Sequence, residues 1–194
     1  MSHGHGAGHG DATGNNKYIA IFISALALFL AIAETLAKSA QTNSLSYNIE
    51  ASNLWAFYQA KTIRQTTLKT ASEQLEVDAG LARDPVIKAA IDKRIADWKA
   101  DVARYQSEPG ANGGEGRKEL QQRAGVAEKK RDLHTEKYHH FEVSSALFQI
   151  AIVLASVYLI TSVFHLVLAA GFLTAVGFFF FIVGLFFPHA VHLF

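Results

Sequence analysis

The chain has 194 residues, half of them hydrophobic, a net charge of +1 and no cysteine. The near-neutral balance, with Lys and Arg mixed among Asp and Glu, excludes the basic face that a nucleic acid requires. The absence of cysteine excludes disulfides, thiolate chemistry and Cys-ligated metal centres.

Residues 1–16, "MSHGHGAGHGDATGNN", read as a disordered His/Gly-rich tail. His3, His5 and His9, with Asp11, offer donors that suit a divalent ion such as zinc, copper or nickel. Glycine spacing leaves those donors unorganised, so metal binding is expected to be weak and a solvated tail is the main expectation. No other cofactor is expected.

Residues 17–39 form an apolar run of the length that crosses the ~30 Å hydrocarbon core of a bilayer, which predicts transmembrane helix 1. Glu34 is its one acid, and ionisable residues inside a span are functional candidates. It shares a face with Ala20, Ser24, Ala27 and Ala31, a small-residue seam expected to pack on protein. Three roles are open to it: a hydrogen bond to Gln149 at similar depth, an ion pair with Lys38 at the interface, or a proton or ion path.

Residues 40–142 carry nearly all the charge and show helical but no strand periodicity, so they read as a helical stalk with helices at about 40–80, 85–106 and 117–142. "RDP" at Arg83–Pro85 is a helix start, with Asp84 as N-cap and Pro85 in the first position. The Gly-rich segment 107–116 is a joint. Three stripes at three- and four-residue spacing are candidate packing faces. They are Leu45, Ile49, Ser52, Ala56, Ile63, Thr67 and Thr70; then Ile87, Ile91, Trp98, Val102 and Tyr105; then Leu120, Ala124, Ala127, Arg131, His134, Tyr138 and Phe141. At ~1.5 Å per residue the first stalk helix runs about 60 Å and the third only about 39 Å. The second, about 33 Å long, makes up the difference if it turns back near Gly80–Pro85. The expected stalk is therefore antiparallel and coiled-coil-like, one long helix against two shorter ones.

Within the long helix, Asn53, Trp55, Phe57, Tyr58, Gln59, Lys61 and Arg64 are candidate contact residues. The small face of Ala56, Ala60 and Ile63 is expected against the third stalk helix, and the Trp55/Tyr58 face against the second or against another subunit. Lys61 or Arg64 is expected to pair with Glu115 or Glu119 near the joint.

The apolar run from Val143 to Phe187 would be about 67 Å long as one helix, too long for one crossing, so it reads as transmembrane helices 143–163 and 166–187 with a turn near Ser162–Leu166. Gly177 and Gly184 allow close helix contact. His139 and His140 read as interfacial polar residues. In the tail 188–194, His189 and His192 form a second weak pair of metal donors. Lys38, Lys129, Lys130, Arg131 and Lys137 flank the stalk, and the short connection between the last two spans has no Lys or Arg. The positive-inside rule then puts stalk and C-terminus in the cytoplasm and the N-terminus outside. A cleaved signal peptide ending near "LAKSA" would reverse this.

The segments "SNLWAFYQAKTIR", "YQSEPG" with "KEL", and "HHFEVSSALFQIAIVLAS" occur in that order between Glu34 and Ser156 and resemble the bacterial membrane family known as domain of unknown function 4337. The resemblance implies a bacterial inner-membrane protein and transfers no activity. The layout, one span, a helical insert and two more spans, is also that of proton-driven membrane motor proteins, an analogy of fold alone.

The fold class expected is an all-α membrane protein with three transmembrane helices and a long antiparallel cytoplasmic stalk between the first two. No nucleophile–base pair, Walker loop, dinucleotide fingerprint or pair of catalytic carboxylates is present, and a stalk is expected to lack an enzyme's concave pocket. The expected function is a non-enzymatic scaffold or accessory subunit, homo-oligomeric or in a larger membrane complex, with the bilayer as partner and no small-molecule substrate. The alternatives are an ion or proton channel using Glu34, and weak divalent-metal binding by the His tail.

Overall fold

The computed structural model describes residues 10–110 and 113–190. The described residues form four α-helices and no strand: α1 Gly10–Leu81, α2 Pro85–Gln106, α3 Arg117–Thr161 and α4 Phe164–Phe186, followed by a 3-10 turn, Pro188–Ala190. Three of them, α1, α3 and α4, contain stretches long and apolar enough to cross a membrane. The first helix departs from the expected layout. It starts at Gly10, inside the stretch assigned to a disordered tail, and runs without interruption to Leu81. No Gly or Pro occurs between Lys17 and Ala79, and a helix once nucleated propagates cheaply through such a run. His3, His5, His9 and His192 lie outside the described residues.

The helix boundaries have local causes. Asp84 caps α2, its Oδ1 accepting the Val86 N–H at 2.8 Å, and Pro85 takes the first position, where no N–H is needed. α3 and α4 are parted at Ser162, whose φ of 56° is left-handed, and the Ser162 N–H donates to the Tyr158 carbonyl at 2.8 Å. That is the αL helix stop that glycine usually supplies.

The chain divides into two units. The first contains the start of α1, the end of α3 and α4. Its core is Leu26, Ala33, Phe148, Ala151, Ala155 and Ala170, with the rings of Phe29, Phe148 and Phe178 meeting edge to face. Alanines at the crossings let backbones approach closely. Ala20, Ser24, Ala27 and Ala31 do not form this seam. They are exposed, because the face bearing Leu26, Ala33, Ala37 and Ala40 also brings Phe29 and Leu30 onto α3 and α4 and so buries more apolar surface. Gly177 is buried under Phe148, and Gly184 under His140 and Phe141.

The second unit, Leu45–Arg131, packs the end of α1 against α2 and the start of α3. The inward positions of α1 recur at four and three residues: Ala51, Leu54, Tyr58, Lys61, Gln65, Leu68, Ser72, Leu75 and Ala79. Ala51 and Leu54 meet Leu120, Ala124 and Ala127 of α3, which belong to the expected third stripe. Partner numbers fall as α1 numbers rise, from Trp55–Glu128 to Gln65–Arg117 on α3 and from Gln65–Val102 to Glu76–Lys99 on α2, so α1 is antiparallel to both neighbours. The expected first stripe, Leu45 to Thr70, is exposed instead of packed. On α2 the buried residue is Ile95, while Ile87 of the expected stripe is exposed.

A Cβ at Gly177 would lie 2.8 Å from Cε1 of Phe148, which is itself fully buried, whereas one at Gly171 would meet open space. Gly177→Ala should cost about 1–3 kcal/mol by overpacking. Gly171→Ala should be neutral or stabilising, and melting of both variants in one detergent checks the contrast.

Candidate functional site

Two places concentrate polar chemistry. The first is a junction in the second unit where the end of α2, the start of α3 and the middle of α1 meet. Lys61 is 7% exposed and Gln65 4%, so both need partners. The Lys61 ammonium donates to Glu108 Oε2 at 3.1 Å, lies 4.0 Å from Glu115 and sits over the Tyr105 ring. Gln65 Nε2 donates to the Val102 carbonyl at 3.1 Å and to Gln106 Oε1 at 3.3 Å. Arg117, the first residue of α3, donates to Gln65 Oε1, to Gln106 Oε1 at 3.3 Å and to the Tyr58 hydroxyl at 2.8 Å, and its guanidinium stacks over the Tyr58 ring.

The joint is closed beside this cluster. Ser107 Oγ donates to Glu119 Oε1 at 2.6 Å, and the Glu108 N–H to Glu119 Oε2 at 3.2 Å. The Ser107 hydrogen bond holds the Glu119 carboxyl below the usual carboxylate range. Gly113 and Gly114 take φ of 89° and 79°, and Arg123 Nη1 donates to the Gly114 carbonyl at 3.2 Å. A side chain at Gly114 would strike the Glu108 carbonyl, so the loop's close approach requires glycine.

The candidate contact residues divide. Trp55, Tyr58 and Lys61 turn inward: Trp55 Nε1 donates to Glu128 Oε1 at 2.9 Å, and its ring meets Tyr58 edge to face at 5.4 Å. Asn53, Phe57, Gln59 and Arg64 stay exposed. The aromatic face therefore packs on α3, and the small face of Ala56, Ala60 and Ile63 is exposed, the reverse of the expected assignment. The Trp55, Tyr58, Lys61 and Gln65 positions continue the four-three run that buries Ala51 and Leu54, which dictates this choice. Lys61 reaches Glu115 as expected but chiefly Glu108, and Glu119 is held by Ser107 rather than by Arg64. Gln65, Gln106, Glu108 and Arg117 had not been singled out; the spacing of Gln65 from Lys61 was the available signal.

A groove of about 480 Å³ is lined by Ile49, Leu54 and Phe57 with Glu50, Glu115 and Arg123. Among the described residues no three His, Cys, Asp or Glu side chains stand close enough together to hold a metal ion.

The second place lies in the apolar unit. Gln149 Nε2 donates to Glu34 Oε1 at 2.9 Å, the pairing their depths suggest, and both residues are exposed. His140 is buried; its Nε2 sits 3.0 Å from the Pro188 carbonyl, because the turn Pro188–Ala190 folds onto it. His189 pairs with Glu136.

Residues 15–187 match the family model described as domain of unknown function (DUF4337). No curated protein and no solved structure matches the chain.

Arg117→Ala would leave the buried Gln65 oxygen without its donor and should cost about 1–3 kcal/mol in thermal unfolding. Because the folded Glu119 carboxyl titrates low, its bond to Ser107 contributes at pH above the ordinary carboxylate value and is lost as pH falls through the lowered one. Ser107→Ala should therefore melt below the parent at neutral pH, with the gap closing in acid; a gap independent of pH contradicts this.

Proposed function

This chain belongs to the DUF4337 family, and from that premise we propose that it is a non-enzymatic integral membrane protein, an oligomeric scaffold or accessory subunit with the helical unit Leu45–Arg131 as its interaction surface. The location proposed is the bacterial inner membrane, with that unit and the C-terminus in the cytoplasm by the distribution of Lys and Arg. Exposed Ile21, Leu28, Val153, Phe172 and Phe186 on the apolar unit support immersion in lipid, since water would meet a large hydrophobic surface there.

The observation that carries the oligomeric reading is the exposed Glu34–Gln149 pair. A carboxyl and an amide on the outside of an apolar unit are costly against acyl chains, and a second protein surface relieves that cost. At the junction, Lys61 bonds to Glu108 in the joint, Gln65 to α2 and Arg117 to α1, which favours a role in holding the fold over a role in chemistry.

Glu34 also separates this proposal from its rival, an ion- or proton-conducting component. The scaffold reading predicts that the purified chain in liposomes passes no protons and that Glu34→Gln, which keeps a hydrogen-bonding group, retains the oligomer. Proton flux in the parent that Glu34→Gln abolishes, with assembly intact, would replace the scaffold by the channel.

A further inference from the structure

We infer that the outward face of α1 between Leu45 and Leu81 is a parallel two-helix seam that takes a second copy of this chain; the inference rests on the oligomeric reading above and names the surface. In this unit α1 carries two faces with coiled-coil spacing. The inward one is spent on α2 and α3. The outward one runs through Leu45, Ile49, Ala56, Ile63, Val77 and Leu81 at steps built from three and four residues, and the positions between them are Ser, Ala, Thr or Gln. Its five larger aliphatics, Leu45, Ile49, Ile63, Val77 and Leu81, are each more than half exposed. Side chains of this kind at this spacing belong to knobs-into-holes packing; the aliphatic and alanine positions run from Leu45 to Ile63 and return at Val77 and Leu81. The seam is about 54 Å long at ~1.5 Å per residue.

Charge identifies the occupant. Two copies rooted in one membrane enter their cytoplasmic segments side by side, so their α1 helices run parallel and each seam residue meets its own counterpart. Any charge on such a seam would repel itself. Between Leu45 and Leu81 the charged residues are Glu50, Lys61, Arg64, Lys69, Glu73, Glu76 and Asp78, and none falls on the seam. Thr67, Thr70 and Gln74 give it an uncharged polar stretch of the kind that fixes register in parallel helix pairs. A bilayer surface is a poorer occupant, because interfacial helices carry Lys and Arg along the polar side, whereas Glu73 and Asp78 border this one.

The chain has no cysteine, so single introduced cysteines report the seam directly. Full-length Ile49→Cys, Ile63→Cys and Val77→Cys, oxidised gently in membranes, should each give a covalent dimer of twice the chain mass. Glu50→Cys and Lys69→Cys, off the seam, should give several-fold less. Linking at Ile63 alone would mean antiparallel helices and would overturn the inference, as would equal linking on and off the seam. Ile63→Glu, at an exposed position, should keep its helicity and lower the sedimenting mass in mild detergent; an unchanged mass also overturns it. If no seam cysteine links while the parent sediments as an oligomer, this surface is wrong and the oligomeric reading stands; a monomeric parent removes both.

Discussion

An ammonium and an amide cannot lie unpaired between packed helices, and the second unit is organised around that constraint at Lys61 and Gln65. The helix contacts on one side of this level are purely apolar, Ala51, Leu54, Leu120, Ala124 and Ala127, and carry no hydrogen bond that would fix their register. The polar level does. Arg117 opens α3, Gln106 closes α2, and both bond to Gln65 on α1, so one set of side chains fixes the register of three helices at once. The glycine loop is tight for the same reason: Ser107 and Glu119 must stand within 2.6 Å for α2 to end where α3 begins.

That arrangement explains what could be read from the sequence and what could not. The helical character, the three apolar helices and the start of α2 at Asp84–Pro85 follow from composition and local chemistry, which need no partner. Glu34 and Gln149 could be paired from the sequence because each is a rare polar residue within an apolar run. The inward face of α1 was the harder choice. Two faces share the same spacing, and the outward one, with Leu45, Ile49 and Ile63, is the more apolar over its first half, while the inward one holds Lys61, Gln65 and Ser72. Hydrophobicity therefore favours the wrong face. The residues that make the polar face buriable, Gln106, Glu108 and Arg117, lie more than forty positions further along the chain, where no local pattern links them to α1. The same misassignment occurred in the apolar unit, where Ala20, Ser24, Ala27 and Ala31 look like a packing seam yet are exposed.

Both faces have the composition of an interface and no packing partner among the described residues. In the apolar unit the small outward face accompanies an exposed carboxyl–amide pair, and in the charged unit the outward face avoids every charge on its helix. Each is economically explained by contact with other protein. The account makes α1 a helix with two duties, one face assembling its own chain and the other meeting a neighbour.

The mass of the particle released from native membranes with its lipid still attached tests this central claim most directly. The account predicts particles containing at least two copies of the 21.2 kDa chain, alone or with further proteins. Particles that contain one copy and no other protein would contradict it.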